Sequence, residues 1–405
     1  AIAIGCRNVD PFSRSALLQL TILGAAFDYE LAEAVVALPE LAAPLTEVLR
    51  RLHKSHLLSY DRRSDTYCMH NLVRSFVQSQ SDTAYEQPAR ARQAAFCARV
   101  LRDIERRYRQ GREGVLDALA RFDRDRMHIE AAQLWAAERT PHDEEAARLC
   151  IDLVLSGPTL LTQRLPPRVR LRWMEAALSA SRRLGDMTSE GRLLGHIGLA
   201  HRDLGQVPRA LECYLQSLQL ARSASDRSAE ARALSSLGLA YLSLGQPDRA
   251  VSYFEPNLMI VRELRDRHAE GVALGNLGLA HLELGQAVQA ISYFELDLAI
   301  ARALSDPRDE GRALGNLGLA HRMNGQAQRA IEYYDQHLRI ARVVGDRRGE
   351  GNSAWNRALA LMALGQRSEA IASAEAALRI REENDDPRAD KVRAALAAWA
   401  KMPAG

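Results

Sequence analysis

Three asparagines, Asn276, Asn316 and Asn356, recur at intervals of 40 residues. A carboxamide carries both a donor and an acceptor, so a row of them can pair with the backbone of an extended segment whatever its sequence. Four residues before each stand Val272, Arg312 and Asn352, and two earlier blocks place Arg192 four before His196 and Arg232 four before Ser236. A spacing of four puts both members of a pair on one helix face. Arginine in such a row can clamp a carboxylate through two parallel bonds, and arginines of one sign focus potential toward acidic ligands. Gly275 and Gly315 stand beside the row and are expected to leave space for a ligand. The alternative is that the asparagines bond between neighbouring blocks. No Ser/His/Asp, Cys/His or paired-carboxylate arrangement stands out from the background of surface charge. The chemistry on offer is recognition, and no enzyme is expected.

The block that positions these residues repeats every 40 residues. Gly205, Gly245, Gly285, Gly325 and Gly365 each precede a glutamine, with Ala210, Ala250, Ala290, Ala330 and Ala370 a few residues on. Upstream runs a second ladder of Gly198, Gly238, Gly278 and Gly318, broken by Ala358. A fixed period of this length means a solenoid, in which each unit buries its apolar face against its neighbours. From Asp266 to Ser305 the elements are legible. Asp266 starts a helix, as the aspartate and proline of Asp306-Pro307 do one block later. Helix A runs to about Leu284 and ends at Gly285-Gln286. Helix B runs from about Ala287 to Leu304, with Ile291, Phe294, Leu298 and Ala301 on one face. Two helices per block predict an αα-solenoid. Pro256 falls inside a helix B where the other blocks have Gln216, Leu296, Gln336 and Ala376. It predicts a kink or local widening there.

Charge and composition narrow the classes. The 405 residues carry 54 basic and 51 acidic side chains, a net charge of +3 that gives no general pull toward nucleic acid or membrane. Five scattered cysteines without a Cys-x-x-Cys pair indicate neither a disulfide framework nor a zinc site. A reducing, cytoplasmic setting is expected, and no apolar run nears the length of a membrane span. The first residue is Ala1, which suggests a piece cut from a longer protein.

The small residue at Gly278, apolar Leu274 and Leu277, the turn at Gly285, and Ala290 and Phe294 resemble the signature of the tetratricopeptide repeat family. The 40-residue unit is similar to the longer repeats of Pins-type and kinesin-light-chain arrays. Five units match over about residues 186–385. A degenerate one precedes them, with Leu178, Arg182 and Asp186 in the register of Leu218, Arg222 and Asp226. A last helix from Pro387 to about Lys401 should cap the array. The resemblance implies that Arg192, His196, Arg232, Asn276, Arg312, Asn316, Asn352 and Asn356 line a concave groove that binds a protein or peptide, with acidic groups expected. His201, His281 and His321 fall where the family has a packing aromatic, as Tyr241 shows, and are expected to be interhelix spacers rather than metal ligands.

Residues 14–80 read differently. Helical patterns over Ser15–Leu23, Leu31–Val36 and Leu45–Leu52 precede a hairpin around Asp61–Asp65, and helix returns from His70 to Gln80. The run Leu49-Arg50-Arg51-Leu52-His53-Lys54-Ser55-His56-Leu57-Leu58 and Tyr67-Cys68-Met69-His70-Asn71-Leu72 resembles the winged helix of STAND-class signalling ATPases, the NB-ARC group that includes AfsR-like bacterial regulators. Phe122, Asp125, Ile129, Ala131-Ala132 and Trp135 look like that family's linker helix, and Leu171 to Leu178 like its first array helix. By resemblance, His70 senses nucleotide phosphate in the intact parent, although Asn71 replaces the usual aspartate. No Gly-x-x-x-x-Gly-Lys-Ser/Thr occurs, so no cofactor is expected in this chain, and ADP or ATP would belong to an upstream ATPase module. Arg50, Arg51, Lys54, Arg62, Arg63 and Arg74 could serve DNA, but a mechanical joint is the stronger expectation and nucleic acid is not expected as a partner. The arginines between Arg99 and Arg126 interleave with acids and read as an ion-paired face.

The expected fold is all-α, an αα-superhelical tetratricopeptide solenoid with an N-terminal winged helix. Residues 1–85 would form the winged helix, 86–144 a helical linker, 145–386 the repeats and 387–405 the capping helix. The expected function is sensing and scaffolding in a STAND-type signalling protein. The alternatives are a winged-helix DNA-binding regulator and a free-standing peptide-binding adaptor.

Overall fold

The computed structural model describes residues 9–24, 26–39, 43–79, 83–109 and 112–401. The chain forms two compact units, Ala1–Gln206 and Val207–Gly405. Cys6 lies outside the described residues, and the other four cysteines are free thiols.

The first unit opens with α1 (Pro11–Leu20), α2 (Tyr29–Val35) and α3 (Leu45–Lys54). Asp10 starts α1 by accepting the Phe12 and Ser13 amides at 3.1 and 3.0 Å. A hairpin follows, β1 (Ser59–Asp61) antiparallel to β2 (Thr66–Cys68), with Ser59 opposite Cys68 and Asp61 opposite Thr66. Phe27 bridges to Tyr67 through both backbone bonds, 2.9 and 2.8 Å, and its ring stacks on the tyrosine. Then come α4 (Asn71–Ser79) and a 3₁₀ turn at Thr83–Tyr85. The helices, hairpin and returning helix read from the sequence are therefore all present.

Two long helices, α5 (Glu86–Arg109) and α6 (Arg112–Arg139), pack on each other. Phe122, Ile129, Ala132, Trp135 and Ala136 form the buried stripe of α6, at helical spacing as expected. The arginine-crowded stretch is ion-paired: Arg106 with Asp103, Arg107 with Asp117, Arg109 with Glu105, Arg121 with Asp125 and Arg126 with Glu130. The helices α7 (Glu144–Leu155), α8 (Pro158–Arg164), α9 (Pro167–Leu184) and α10 (Met187–Asp203) complete the unit.

The second unit is a run of α-helices, each packed on its neighbours in sequence. The A helices are α12 (Arg227–Ser243), α14 (Arg267–Glu283), α16 (Pro307–Met323) and α18 (Arg347–Ala363). The B helices are α11 (Val207–Ser223), α13 (Pro247–Glu263), α15 (Ala287–Ala303), α17 (Ala327–Val344) and α19 (Arg367–Glu383), and α20 (Ala389–Ala400) closes the series. Asp226, Asp266, Asp306 and Asp346 each cap an A helix through the side chain. After each A helix stands a glycine in the left-handed region, such as Gly285 at φ +75°.

The upstream glycine ladder is set by the core. A methyl group on Gly238, Gly278 or Gly318 would come within 2.3, 2.4 and 2.5 Å of the rings of Phe254, Phe294 and Tyr334. These rings are among the largest fully buried side chains. Where Ala358 breaks the ladder, the aromatic position of the next B helix holds Ala374, also fully buried. Volume is thus exchanged across the contact, glycine against an aromatic or alanine against alanine. The last repeat packs instead on α20, where Val392 is fully buried and Trp399 stacks on Trp355 at 5.9 Å.

Pro256 does not interrupt its helix. Residues 247–263 are α-helical throughout, and α13 and α15 are each 17 residues long. Phe254, Asn257, Leu258 and Val261 of this helix are buried on one side, and the helix continues through the proline.

Candidate partner-binding face

In the second unit the A helices bring Arg232, Asn276, Arg312, Asn316, Asn352 and Asn356 into corresponding positions, and adjacent A helices meet at Asn276 and at His268. Asn276 Nδ2 donates to Ser235 Oγ of the preceding A helix at 3.4 Å. His268 Nδ1 lies 3.1 Å from an oxygen of Asp309 on the following one. Arg192 (exposed) and His196 (half-buried) lie on α10 in the first unit.

The asparagine row is not uniform. Asn276 is buried, 8% exposed, and its bond to Ser235 is the inter-repeat link of the alternative reading. Asn316 and Asn356 are half-buried and make no side-chain hydrogen bond among the described residues. Asn352 accepts from Arg381 at 3.4 Å.

The arginines also differ. Arg232 is exposed and donates to Ser228 Oγ at 2.7 Å. Arg312 is not a free cation. Its guanidinium forks onto Asp297 at 3.0 and 3.3 Å and reaches Asp309 at 3.3 Å. This corrects the expectation that Arg312 offers its charge to a ligand. The expectation for the glycines is corrected with it. A methyl group on Gly275 would meet Arg312 Nη1 at 2.6 Å and Asp297 Oδ2 at 2.9 Å, and one on Gly315 would meet His337 Nδ1 at 2.8 Å. The space these glycines leave is filled by the protein's own side chains, Arg312 from an A helix and Asp297 and His337 from B helices.

Those side chains were overlooked in the sequence. Ser217, Asn257, Asp297 and His337 occupy one register of successive B helices, and all are buried. Asn257 Nδ2 donates to the Ala231 carbonyl at 2.8 Å. Ser353 Oγ lies 2.6 Å from His337 Nδ1. Burial pushes the Asp297 carboxyl up to about 6 against the pull of Arg312, and burial depresses the His337 pKa. Polar residues at 40-residue spacing on an otherwise apolar face were the available signal.

A second overlooked feature is an ionic staple. Arg182, Arg222, Arg262, Arg302 and Arg342, near the end of a helix, reach Glu190, Glu230, Glu270, Glu310 and Glu350 on the next at 2.7–2.8 Å. The first member confirms the register read for the degenerate repeat.

The recurring histidines are spacers, as expected. His281 stacks on Tyr293 at 5.2 Å and His321 on Tyr333 at 5.1 Å, as Tyr241 does on Tyr253 at 5.3 Å. His201, His281 and His321 each hold the side chain of the turn glutamine through Nδ1. His268, Asp306 and Asp309 bring ligand atoms within 4.8 Å of one another. However, Asp306 caps α16 and Asp309 is shared between His268 and Arg312, so these carboxylates are committed to protein partners.

In the first unit His70 is exposed, and its Nδ1 accepts the Leu72 amide at 3.2 Å, capping α4. Of the cations considered for DNA, Arg50 and Arg51 pair with Glu47 at 2.6 and 3.0 Å. Arg74 donates to the Leu23 carbonyl at 2.8 Å. Among the described residues no helix is long and apolar enough to cross a membrane.

Residues 189–255, 267–343 and 309–383 match the tetratricopeptide repeat family model. The array is a tetratricopeptide repeat solenoid. Such repeats are scaffolds for protein–protein interaction. In fold the chain is similar to a Signal Transduction ATPase with Numerous Domains (STAND) protein with a tetratricopeptide repeat sensor from Pyrococcus horikoshii, with a TM-score of 0.55 and 18% identity. The likeness covers 97% of this chain and 60% of that one. The chain thus spans three fifths of that protein's length. Over 48% of this chain and 95% of theirs, the repeats of a putative kinesin light chain from Podosopora anserina are 23% identical, TM-score 0.42. A Rap protein complexed with Competence and Sporulation Factor aligns over 77% of this chain and 98% of its own, at 11% identity and TM-score 0.48. No curated protein sequence matches the chain.

Proposed function

We propose that this chain is the sensor and scaffold region of a STAND-type signalling protein, with its tetratricopeptide array holding a protein or peptide partner on the A-helix face. The observation that carries the reading is the likeness in fold to the STAND protein, which extends over 97% of the chain and so includes the part before the repeats. In this reading the three helices, hairpin and α4 of the first unit are a winged helix that transmits occupancy to an upstream ATPase module. The setting is cytoplasmic. Asn316 and Asn356, with amides uncommitted to other side chains, and the exposed Arg232 are the ligand-contacting groups, and the partner carries acidic groups.

Two experiments test it. Affinity capture with quantitative mass spectrometry, run in parallel on wild type and on the double variant Asn316→Ala/Asn356→Ala, should yield a partner lost from the variant. The unfolding free energy should change by about 1 kcal/mol or less, because neither half-buried amide holds another side chain. An equal yield from both proteins counts against the face. Isothermal titration of the chain with ATP should give no heat of binding, because no phosphate-cradling loop exists in its 405 residues. Micromolar affinity would place a nucleotide site within the chain and remove the need for an upstream module.

A further inference from the structure

Asp297 is the only acidic member of the buried B-helix register, and the two preceding repeats show its neutral counterpart and an arginine with no acid to hold it. Asn257 is its neutral counterpart one repeat earlier. It turns to the A helix of its own repeat and donates to the Ala231 carbonyl at 2.8 Å. The residue corresponding to Ala231 one repeat later is Gly271, where an added methyl group would lie 3.1 Å from Asp297 Oδ1. By the 40-residue register, the Gly271 carbonyl is the counterpart of the one that Asn257 uses. Arg232 is the counterpart of Arg312. The B residue in its register is Ser217, which has no charge to hold it, and Arg232 stands exposed on the A-helix face.

We propose that Asp297 is a proton-operated latch on Arg312. Ionised, it holds the guanidinium against the wall of the repeat. Protonated, it turns its hydroxyl to the Gly271 carbonyl, and Arg312 swings out as a cation for an acidic ligand. No covalent bond changes; one proton moves from solvent to the carboxylate.

The groups facing the latch pull in opposite senses: Asp309 raises the Asp297 pKa, while Arg312 and His268 lower it. From α14 comes His268, 3.1 Å from Asp309. From α16 come Arg312 and Asp309, the latter being the second acceptor of Arg312 at 3.3 Å. Burial has already raised the Asp297 carboxyl to about 6. A folded-state pKa above the unfolded value means that this group contributes stability fully below about 4, which is lost as pH rises through about 6. Acid thus opens the latch without costing the fold.

The ligand half of this inference rests on the reading of the A face given above, and the test separates the two. In the full chain labelled with [13Cγ]aspartate and 15N-arginine, NMR should show one carboxyl, absent in Asp297→Asn, that titrates near 6. The Arg312 Nε–Hε signal should move with it, and should stand at its acid position in Asp297→Asn at pH 7.5. Fluorescent hexaglutamate should bind wild type about two- to fivefold more tightly at pH 5.5 than at 7.5, the scale of one exposed ion pair. Asp297→Asn should bind tightly at both values, and Arg312→Gln should lose the step. An Arg312 signal indifferent to the titration of Asp297 overturns the latch. Hexaglutamate binding that is absent at both pH values, with Arg312 following Asp297, leaves the latch standing and overturns the acidic-ligand face.

Discussion

The two units are held together by different kinds of contact. In the first, the polar contacts among the elements before α9 occur once each. Arg92 donates to Gln19 at 2.6 Å and to the Val35 carbonyl at 2.8 Å, Trp135 donates to Gln87 at 2.9 Å, and His128 lies 2.8 Å from the Ala26 carbonyl. In the second, one set of contacts returns every 40 residues: capping aspartate, glycine against aromatic, turn glutamine and ionic staple. A contact made once can be lost with nothing to replace it. A contact made repeatedly is individually weaker in consequence but constrains every unit to the same geometry, so departures from the repeat mark places with a separate role.

The sharpest way to break this comparison is the glycine–aromatic contact. Phe294→Ala should cost about 3–5 kcal/mol in urea unfolding of the second unit. Gly278→Ala should cost about 1–3 kcal/mol through overpacking against the ring. The double variant should cost less than the sum by about 1 kcal/mol or more, because Ala358 and Ala374 already form that pair in the last repeat. Strict additivity would show that the two positions are independent. Next in size is Pro256→Gln, which restores an amide to the Ser252 carbonyl inside a helix that runs on regardless. It should raise stability by up to about 3 kcal/mol, read as a shift in thermal midpoint. No gain would mean the carbonyl is satisfied some other way.

In the first unit, Arg92→Ala should cost about 1–3 kcal/mol, since it strips a donor from the Val35 carbonyl. Hydrogen exchange should speed up in α2 and α5 and stay unchanged from α12 onward. The smallest effect belongs to the staple. Glu310→Gln should cost about 0.2–1 kcal/mol and lose that cost in high salt, as an exposed pair does. A larger, salt-independent loss would make the staple a principal support of the array.

The repeats were legible because periodicity repeats its own message. Asp266 and Gly285 mark the ends of a helix in one block, and four other blocks say the same. The hairpin was legible from the turn at Asp61–Asp65 between short apolar runs. What escaped depends on contacts between positions far apart in sequence. Gly275 read as a space for a ligand, because nothing local shows that Asp297 and Arg312 fill it. Arg312 read as a free cation for the same reason. Pro256 carries a local cost in the sequence, yet the helix runs on through it. His70 shows the limit from the other direction: its position was legible, and its observed bond is to the Leu72 amide.

The pairing of Asp297 with Arg312 also decides how such an array can grow. Gene duplication or protein engineering would naturally copy the block as the eye divides it, from Asp266 to Ser305. Inserted in tandem, that copy would set Asp297 before Val272 and leave a buried carboxylate with no cation. Copying residues 273–312 keeps acid and arginine together at every junction. The unit of inheritance is therefore cut through the middle of helix A, and it is out of phase with the structural repeat that it builds.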